Sequence, residues 1–143
     1  MDEANTLELI HLSAGSQAIS VRLADRVPAW APDYYAADIF VTSGFVNAQL
    51  RIHVTPEDLD HWAEALDRIE ADDSHSAGDD LLTVDWPPTG RDGYLRFVAD
   101  DPYVVEVHDA PQTQISVSVP LDMSDGWIPE ARQKLQTVRT LLG

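Results

Sequence analysis

The sequence predicts an α+β domain made mainly of antiparallel β-sheet, with about eight strands, one amphipathic helix in the middle of the chain and one at its C-terminus. Three observations support this prediction. Apolar and polar residues alternate in several short segments, the turns between these segments are short, and two longer stretches repeat apolar residues at helical spacing. Because short turns join antiparallel neighbours, we expect the strands to form one sheet or two curved sheets.

The N-terminal half contains four predicted strands, at residues 7–12, 17–23, 34–42 and 45–54. The first two are joined by a turn around Gly15, a residue that can take the positive φ of a tight hairpin turn. The fourth strand has the clearest alternation, with Leu50 and Ile52 on one face and Arg51 and His53 on the other. This half is therefore expected to present one apolar and one polar sheet face.

The first helix has a strong N-terminal signature. Thr55 is the expected N-cap, Pro56 is the first helical residue, and Glu57 and Asp58 place negative charge at the positive end of the helix dipole. The acidic stretch at residues 72–80 has no apolar periodicity and is predicted to be a loop. Between this helix start and about residue 70, apolar residues recur at helical spacing: Leu59, Trp62, Ala63, Leu66 and Ile69.

The C-terminal half repeats this layout. Strands are predicted at residues 81–86, 94–99, 103–109 and 113–121, and a helix from about residue 126. Residues 49–54 resemble residues 114–119, and at the same offset Trp62 aligns with Trp127. The chain is therefore predicted to be a single domain over residues 1–143, built from two similar halves at about 7–70 and 81–142. The alternative is that the two halves are unrelated, because any two units of strand, turn and amphipathic helix would align as well as these.

The composition excludes several functions. The 143 residues include 25 Asp and Glu against 9 Lys and Arg, for a net charge of −16, and no cysteine. So acidic a surface repels nucleic acids and anionic lipids, and no apolar run reaches the roughly 18 residues that span a bilayer. We expect a cytoplasmic protein with a basic protein partner and no nucleic-acid or membrane partner. The alternative is that the charge only keeps the protein soluble.

The motifs of common catalytic sites are absent from the sequence. It has no Gly-x-Ser-x-Gly element, no glycine-rich phosphate loop and no His-Glu-x-x-His motif. His53 and His108 occupy polar strand positions and would meet across a sheet in a suitable register. His61 can share a helix face with Glu57 and Glu64, which supports the alternative of a metal-dependent hydrolase. The sequence favours a non-enzymatic protein without a cofactor, and we assign no catalytic or metal-binding residue.

A further alternative is a protein that binds a small ligand or a peptide on a sheet face. Arg51, His53 and Arg96 lie at polar strand positions, and Tyr94 or Trp86 would line such a site. Trp86, like Trp30, also adjoins a proline at the edge of a predicted loop, where aromatic residues often anchor interfaces. Packing within the domain is the competing role for these tryptophans.

Several segments together resemble a known kind of domain. They are Leu9-Ile10-His11-Leu12, Asp38-Ile39-Phe40-Val41, Gly44-Phe45, Val54-Thr55-Pro56-Glu57-Asp58-Leu59 with Trp62 and Ala65-Leu66, and Trp127 after the last strand. With these residues the chain resembles a small actinobacterial domain family of unknown function and, more distantly, the immunity proteins of WapI-type toxins. The resemblance spans nearly the whole chain and rests on packing and turn residues. It implies a soluble, non-enzymatic cytoplasmic domain that binds a toxin or another protein.

Charge, missing catalytic motifs and resemblance together favour an acidic protein-interaction module, with immunity against a basic toxin as its sharpest form. We expect it to be a monomer or a homodimer. The predicted partner-binding residues concentrate negative charge on the outer face of the first helix and in the loop after it. They are Glu57, Asp60, Glu64, Asp67, Asp72 and Asp73.

Overall fold

The structure, a computed structural model, describes residues 7–26, 35–71, 82–88, 93–99, 103–109, 113–121 and 126–142. The elements within these ranges are β1 (Leu7–Ala14), β2 (Gln17–Arg26), β3 (Tyr35–Thr42), β4 (Asn47–Val54), α1 (Pro56–Ala71), β5 (Thr83–Trp86), β6 (Tyr94–Val98), β7 (Val104–Asp109), β8 (Ile115–Pro120) and α2 (Trp127–Leu142). The predicted α+β class is confirmed. Neither described helix is long and apolar enough to cross a membrane.

The strands form two separate antiparallel sheets. The first sheet has the order β1-β2-β3-β4 and the second the order β5-β6-β7-β8, so each strand pairs with its neighbour in sequence, as the short turns predict. α1 follows the first sheet and α2 follows the second. The order of elements therefore repeats in the two halves of the chain, and an origin by duplication stays a prediction.

Turn chemistry decides where the hairpin strands end. Gly15 has a φ of 62° between the paired residues Ala14 and Gln17, which confirms the positive φ expected there. The fourth strand begins at Asn47, two residues later than predicted, because the Ser43 hydroxyl accepts hydrogen bonds from the backbone N–H groups of Phe45 (3.0 Å) and Val46 (2.8 Å). These two residues therefore belong to the turn.

The apolar faces of both sheets and of both helices contribute to one hydrophobic core. Trp62, Trp86 and Phe97 are fully buried at its centre, with the ring centroid of Trp62 5.7 Å from that of Trp86 and 5.5 Å from that of Phe97. The Trp127 ring stacks on Phe97 at 6.3 Å and is partly buried. Burial of each large apolar side chain contributes about 1.5–3 kcal/mol, so this aromatic cluster is a main source of stability.

α1 begins with a reciprocal cap. The backbone N–H of Asp58 donates to the Thr55 hydroxyl (3.2 Å), and the backbone N–H of Thr55 donates to the Asp58 carboxylate (2.9 Å). The Asp58 N–H also donates to the Thr55 carbonyl (2.9 Å), so the hydroxyl is its second acceptor, and the Asp58 carboxylate supplies an acceptor for the N–H of the N-cap residue. The Asp58 side chain is only 5% exposed, so the cap is anchored in the interior and fixes where the helix starts.

Replacing Thr55 with alanine is expected to lower the free energy of unfolding by about 1 kcal/mol, because the helix loses its N-cap oxygen. Chemical denaturation measures this change. Thr140→Ala, at an exposed position of α2, is the control and should shift stability by less than about 0.5 kcal/mol. Equal losses in the two variants would contradict the role given to the cap.

Candidate functional site

The solvent side of α1 carries five exposed carboxylates, and we call the four that were predicted to bind a partner, Glu57, Asp60, Glu64 and Asp67, the α1 acidic face. The opposite side of the helix is buried against the core, so its amphipathic register turns these residues outward. The other two predicted partner-binding residues, Asp72 and Asp73, lie outside the described residues.

Two members of the α1 acidic face pair with arginines of α2. Asp60 Oδ1 lies 2.5 Å from Arg139 Nη2, and Asp67 Oδ1 lies 2.9 Å from Arg132 Nη1. Arg132 also bonds Glu70 at 2.6 Å. The carboxylate nearer the start of α1 thus pairs with the arginine nearer the end of α2, so the two helices run antiparallel.

These interhelical ion pairs remain accessible to solvent. The side chains of Asp60 and Asp67 are each 68% exposed. Exposed ion pairs contribute only about 0–1 kcal/mol each, because water competes for both charges. Hydrogen bonds to Glu70 and Asp67 nevertheless raise the pKa of Arg132 above its ordinary value, which favours its charged form.

Glu57 and Glu64 are the unpaired members of the α1 acidic face. They lie two helical turns apart, so they share one stripe of the helix. Both are exposed, and within the described part of the chain no cationic side chain lies within ion-pair distance of either. No described cation therefore neutralises their charges.

Paired side chains cross the outer face of the first sheet in a row of alternating charge. The register places Glu8 opposite Arg22, Arg22 opposite Asp38, and Asp38 opposite Arg51. The Arg51 guanidinium donates two hydrogen bonds, of 2.7 and 3.2 Å, to the Asp38 carboxylate, and Arg22 Nε lies 3.8 Å from the Glu8 carboxylate. Opposite charges on facing strands favour this register over its alternatives.

The second sheet carries a similar row that ends differently. Asp85 stands opposite Arg96, Arg96 opposite Glu106, and Glu106 opposite Ser118. Arg96 holds Asp85 with two hydrogen bonds of 2.7 and 3.1 Å. The residue opposite Glu106 is Ser118, whereas the corresponding residue opposite Asp38 in the first row is Arg51. The Glu106 carboxylate instead contacts Nε2 of His108, on the same strand, at 2.8 Å.

Internal pairing neutralises nearly all of the described cations. Among the arginine and lysine side chains that the structure describes, Arg68 alone has no described carboxylate partner. The described cationic side chains that lie within ion-pair distance of a carboxylate are Arg22, Arg51, Arg96, Arg132, Lys134 and Arg139. Because the chain has far more acids than bases, the charge left to face solvent is overwhelmingly negative.

Glu8 links the first sheet to α2 through Lys134, whose Nζ lies 3.0 Å from its carboxylate. Burial raises the pKa of Glu8, but the hydrogen bond and charge of Lys134, with the charges of His11 and Arg22, outweigh burial and lower it below 4.5. The folded protein therefore keeps this carboxylate ionised at a pH where the unfolded chain protonates it. Its contribution to stability is full above pH 4.5 and is lost as the pH falls through the lowered value.

We therefore expect Glu8→Gln to flatten the loss of unfolding free energy on acidification below pH 4.5. Denaturation series over a range of pH measure this slope. Asn47→Glu, at an exposed position of β4 opposite Thr42, adds an acid outside the row of paired charges and should leave the slope unchanged. An acid slope in Glu8→Gln identical to that of the parent would contradict the pKa assignment.

His61 does not form a metal centre with its helical neighbours. Its Nδ1 lies 3.8 Å from the buried Asp58 carboxylate and makes no hydrogen bond. Across the described ranges no group of three or more histidine, aspartate and glutamate side chains is arranged to hold a metal ion. The trio of His61, Glu57 and Glu64 therefore shares a helix without converging on a common point.

The polar residues predicted for a sheet-face site are divided between the two sheets. Arg51 and His53 lie on β4 of the first sheet, whereas Arg96 and Tyr94 lie on β6 of the second. The idea that His53 and His108 meet across a sheet is wrong, because β4 and β7 belong to different sheets. The ring of His108 stacks instead on Tyr94 at 4.7 Å.

The tryptophans beside prolines do not form an exposed anchor in the described structure. Trp86 is fully buried, and its indole N–H donates to the backbone carbonyl of Asp58 at 2.7 Å. Trp86 therefore belongs to the core and cannot line a surface site. Trp30 lies outside the described residues.

A groove of about 660 Å³ runs along α2. All of its described lining residues lie on this one helix: Pro129, Arg132, Gln133, Gln136, Thr137 and Thr140. They bring no second titratable group beside Arg132, which is already paired with α1. The groove therefore has no described set of groups that converge on a ligand.

Sequence reasoning placed the α1 acidic face but missed its partners on α2. A signal was present, since Arg132 and Arg139 are separated by two helical turns, as are Asp60 and Asp67. Matching spacings on two helices allow two ion pairs to form together. The spacing fits a parallel arrangement as well as an antiparallel one, and it is the observed pairs Asp60–Arg139 and Asp67–Arg132 that show the helices to be antiparallel.

Fold and surface together define an acidic α+β domain in which each four-stranded antiparallel sheet is followed by a helix. The family model described as "Family of unknown function (DUF5959)" matches residues 7–143. The chain belongs to this family, as the resemblance to a domain family of unknown function led us to expect. No curated protein and no solved structure matches the chain.

Proposed function

We propose that this protein is a non-enzymatic interaction module that binds a basic protein partner through the α1 acidic face. One observation carries the proposal: the described cations are nearly all paired within the molecule, whereas Glu57 and Glu64 are exposed and have no cationic partner among the described residues. A basic partner therefore meets a negative surface without intervening positive charge.

Asp60 and Asp67 add to this surface although each is paired. Their exposed ion pairs are weak, so a partner that brings several positive charges can bond the same carboxylates. The net charge of −16 would also raise the rate of encounter with a basic protein over distances of about 8 Å at physiological salt.

In its sharpest form, the proposal names a basic toxin as the partner and neutralisation of that toxin as the role. The resemblance to WapI-type immunity proteins and the strong acidity of the chain support this form. A cytoplasmic location is part of the proposal and is supported by the absence of cysteine.

Affinity capture tests the proposal. The tagged protein is exposed to a lysate of the organism that produces it and washed at low and then at high salt, and the retained proteins are identified by mass spectrometry. A basic protein held in a near one-to-one ratio at low salt and released at high salt is the expected result. Retention of no basic protein would overturn the proposal.

Two charge variants locate the binding surface. Glu57→Gln with Glu64→Gln removes two negative charges from the α1 acidic face, and retention is expected to fall. Thr42→Lys with Gln49→Lys changes the net charge equally but at exposed positions of the first sheet. Equal loss of retention in both variants would show that only net charge matters and would exclude α1 as the binding face.

A further inference from the structure

The edge strands of the two sheets differ in how they are protected from pairing with another chain. β1 has α2 packed against it, and β5 has α1 packed against it. β4 carries the charged Arg51, and a charged side chain discourages an edge from pairing. β8 has neither protection, since it contains no charged residue and makes extensive contact only with β7 among the described elements.

β8 also exposes one large apolar side chain to solvent. Ile115 is 65% exposed and Val117 is partly buried, so the apolar layer of the second sheet is open at this edge. Ser116 and Ser118, on the other face of the strand, are exposed. An uncharged, β-branched edge of this kind is a template for an additional strand.

The hydrogen-bond phase identifies which backbone groups of β8 face outward. Leu121 N–H donates to Tyr103 C=O at 2.7 Å, so the pair they form is hydrogen-bonded to β7. Hydrogen-bonded and non-hydrogen-bonded pairs alternate along an antiparallel ladder. Ser116 and Ser118 therefore direct their N–H and C=O groups away from β7, toward the free side.

Pro120 confirms this phase. Pro120 lies two residues after Ser118, so its backbone groups also point away from β7. A proline fits there because it has no N–H group and the ladder with β7 needs no donor at this position. Its carbonyl accepts a hydrogen bond from the Gln17 side-chain amide (2.9 Å), which approaches from outside the sheet. That contact closes the C-terminal end of the edge and leaves the stretch from Ile115 to Ser118 for pairing.

We propose that the free side of β8 accepts an extended basic segment of the partner as a fifth strand of the second sheet. Backbone groups of Ser116 and Ser118 would bond this strand, and its apolar residues would cover Ile115 and Val117. The positive charge of the segment rests on the proposed function; the strand geometry stands independently of it.

The charge row of the second sheet supports a basic occupant. Glu106 faces Ser118 across the ladder, where Asp38 in the first sheet faces Arg51. Neighbouring strands lie about 4.8 Å apart, so an arginine or lysine on the added strand can extend over the small Ser118 to reach Glu106. A basic side chain at that place would complete the alternation, whereas a second copy of this chain would bring another 16 negative charges.

A peptide-binding experiment tests the strand addition. The probe is a short fluorescent peptide in which valine alternates with arginine, and its control has the same sequence with N-methyl groups on the backbone nitrogens that would pair. The full chain is expected to bind the parent peptide at least about tenfold more tightly than the methylated one, which corresponds to about 1.4 kcal/mol. Fluorescence anisotropy at low and moderate salt measures both.

Two substitutions at Ser118 provide the protein-side control. Ser118→Pro removes an outward N–H without removing a bond to β7, and it should weaken the parent peptide about tenfold. Ser118→Ala keeps the N–H and should bind as the parent protein does. Circular dichroism checks that both variants fold, and the methylated peptide keeps the test decisive if Ser118→Pro does not.

Other results would overturn the strand addition. Equal affinity for the two peptides, lost at high salt, would show that they bind by charge attraction alone and not by strand pairing. This result would not contradict the proposed function. No binding of either peptide at low salt would exclude a basic strand at β8. The proposed function would then still be tested separately by capture from the lysate. A dimer of the full chain that Ser118→Pro dissociates would assign the edge to a second copy.

Discussion

Gly93→Ala is expected to destabilise the protein by about 1–3 kcal/mol, the usual cost of forcing an additional group into a packed site. A Cβ at this position would lie 2.2 Å from Leu50 Cδ2 and 2.9 Å from the backbone carbonyl of His108. The leucine can move aside, but the carbonyl belongs to β7 and is held in the ladder. Gly93 thus permits the close approach of β4 of the first sheet to the second sheet.

Chemical denaturation of Gly93→Ala, Leu50→Ala and the double variant separates these two contacts. Shortening Leu50 should recover part of the loss caused by Gly93→Ala, so the two substitutions should be non-additive. Gly44→Ala is the matched control, because a Cβ there meets nothing within 4 Å. Full additivity, or a loss at Gly44 as large as that at Gly93, would contradict the close approach.

Trp86→Phe is expected to cost more stability than Trp62→Phe, by about 1–2 kcal/mol. Both side chains are fully buried, and both substitutions remove the same ring volume. The indole N–H of Trp86 donates to the Asp58 carbonyl at 2.7 Å, whereas that of Trp62 is buried with no hydrogen-bond partner. The comparison therefore isolates one buried hydrogen bond between β5 and α1.

Unfolding free energies of the two variants, measured under the same conditions, give this difference directly. Because the unpaired N–H of Trp62 costs free energy in the folded state, phenylalanine at that position offsets part of its packing loss. A loss in Trp62→Phe equal to or greater than that in Trp86→Phe would contradict the hydrogen-bond assignment.

The strands and helices could be predicted because each depends on neighbouring residues. Alternation along residues 45–54 identified β4, and the sequence Thr-Pro-Glu-Asp identified Pro56 as the first residue of α1. The later start of β4 was missed because the Ser43 hydroxyl bonds two backbone groups of the turn. Periodicity reports which face is apolar but does not report such side-chain bonds.

The number of sheets could not be predicted in the same way. Short turns identify neighbouring strands, but α1 lies between β4 and β5, and no local signal shows whether a chain returns to the same sheet after a helix. The error over His53 and His108 followed from this gap, because both occupy polar positions of strands that never become neighbours.

The candidate site was predictable in part. Helical spacing alone placed Glu57, Asp60, Glu64 and Asp67 on the solvent side of α1. Which of them are neutralised depends on the register of α1 against α2, which is set by packing between distant segments. The open edge of β8 was missed for a related reason: a strand is known to be an edge only once the sheet order is known.

We propose that the unpaired charges of the α1 acidic face guide a basic partner to the protein. The most direct test is the association rate constant with the captured partner, measured by stopped flow at a series of salt concentrations. Glu57→Gln with Glu64→Gln is predicted to slow association at low salt by about tenfold and to flatten the salt dependence, with Thr42→Lys and Gln49→Lys having a smaller effect. Identical rates and salt slopes for the α1 variant and the parent protein would contradict the claim.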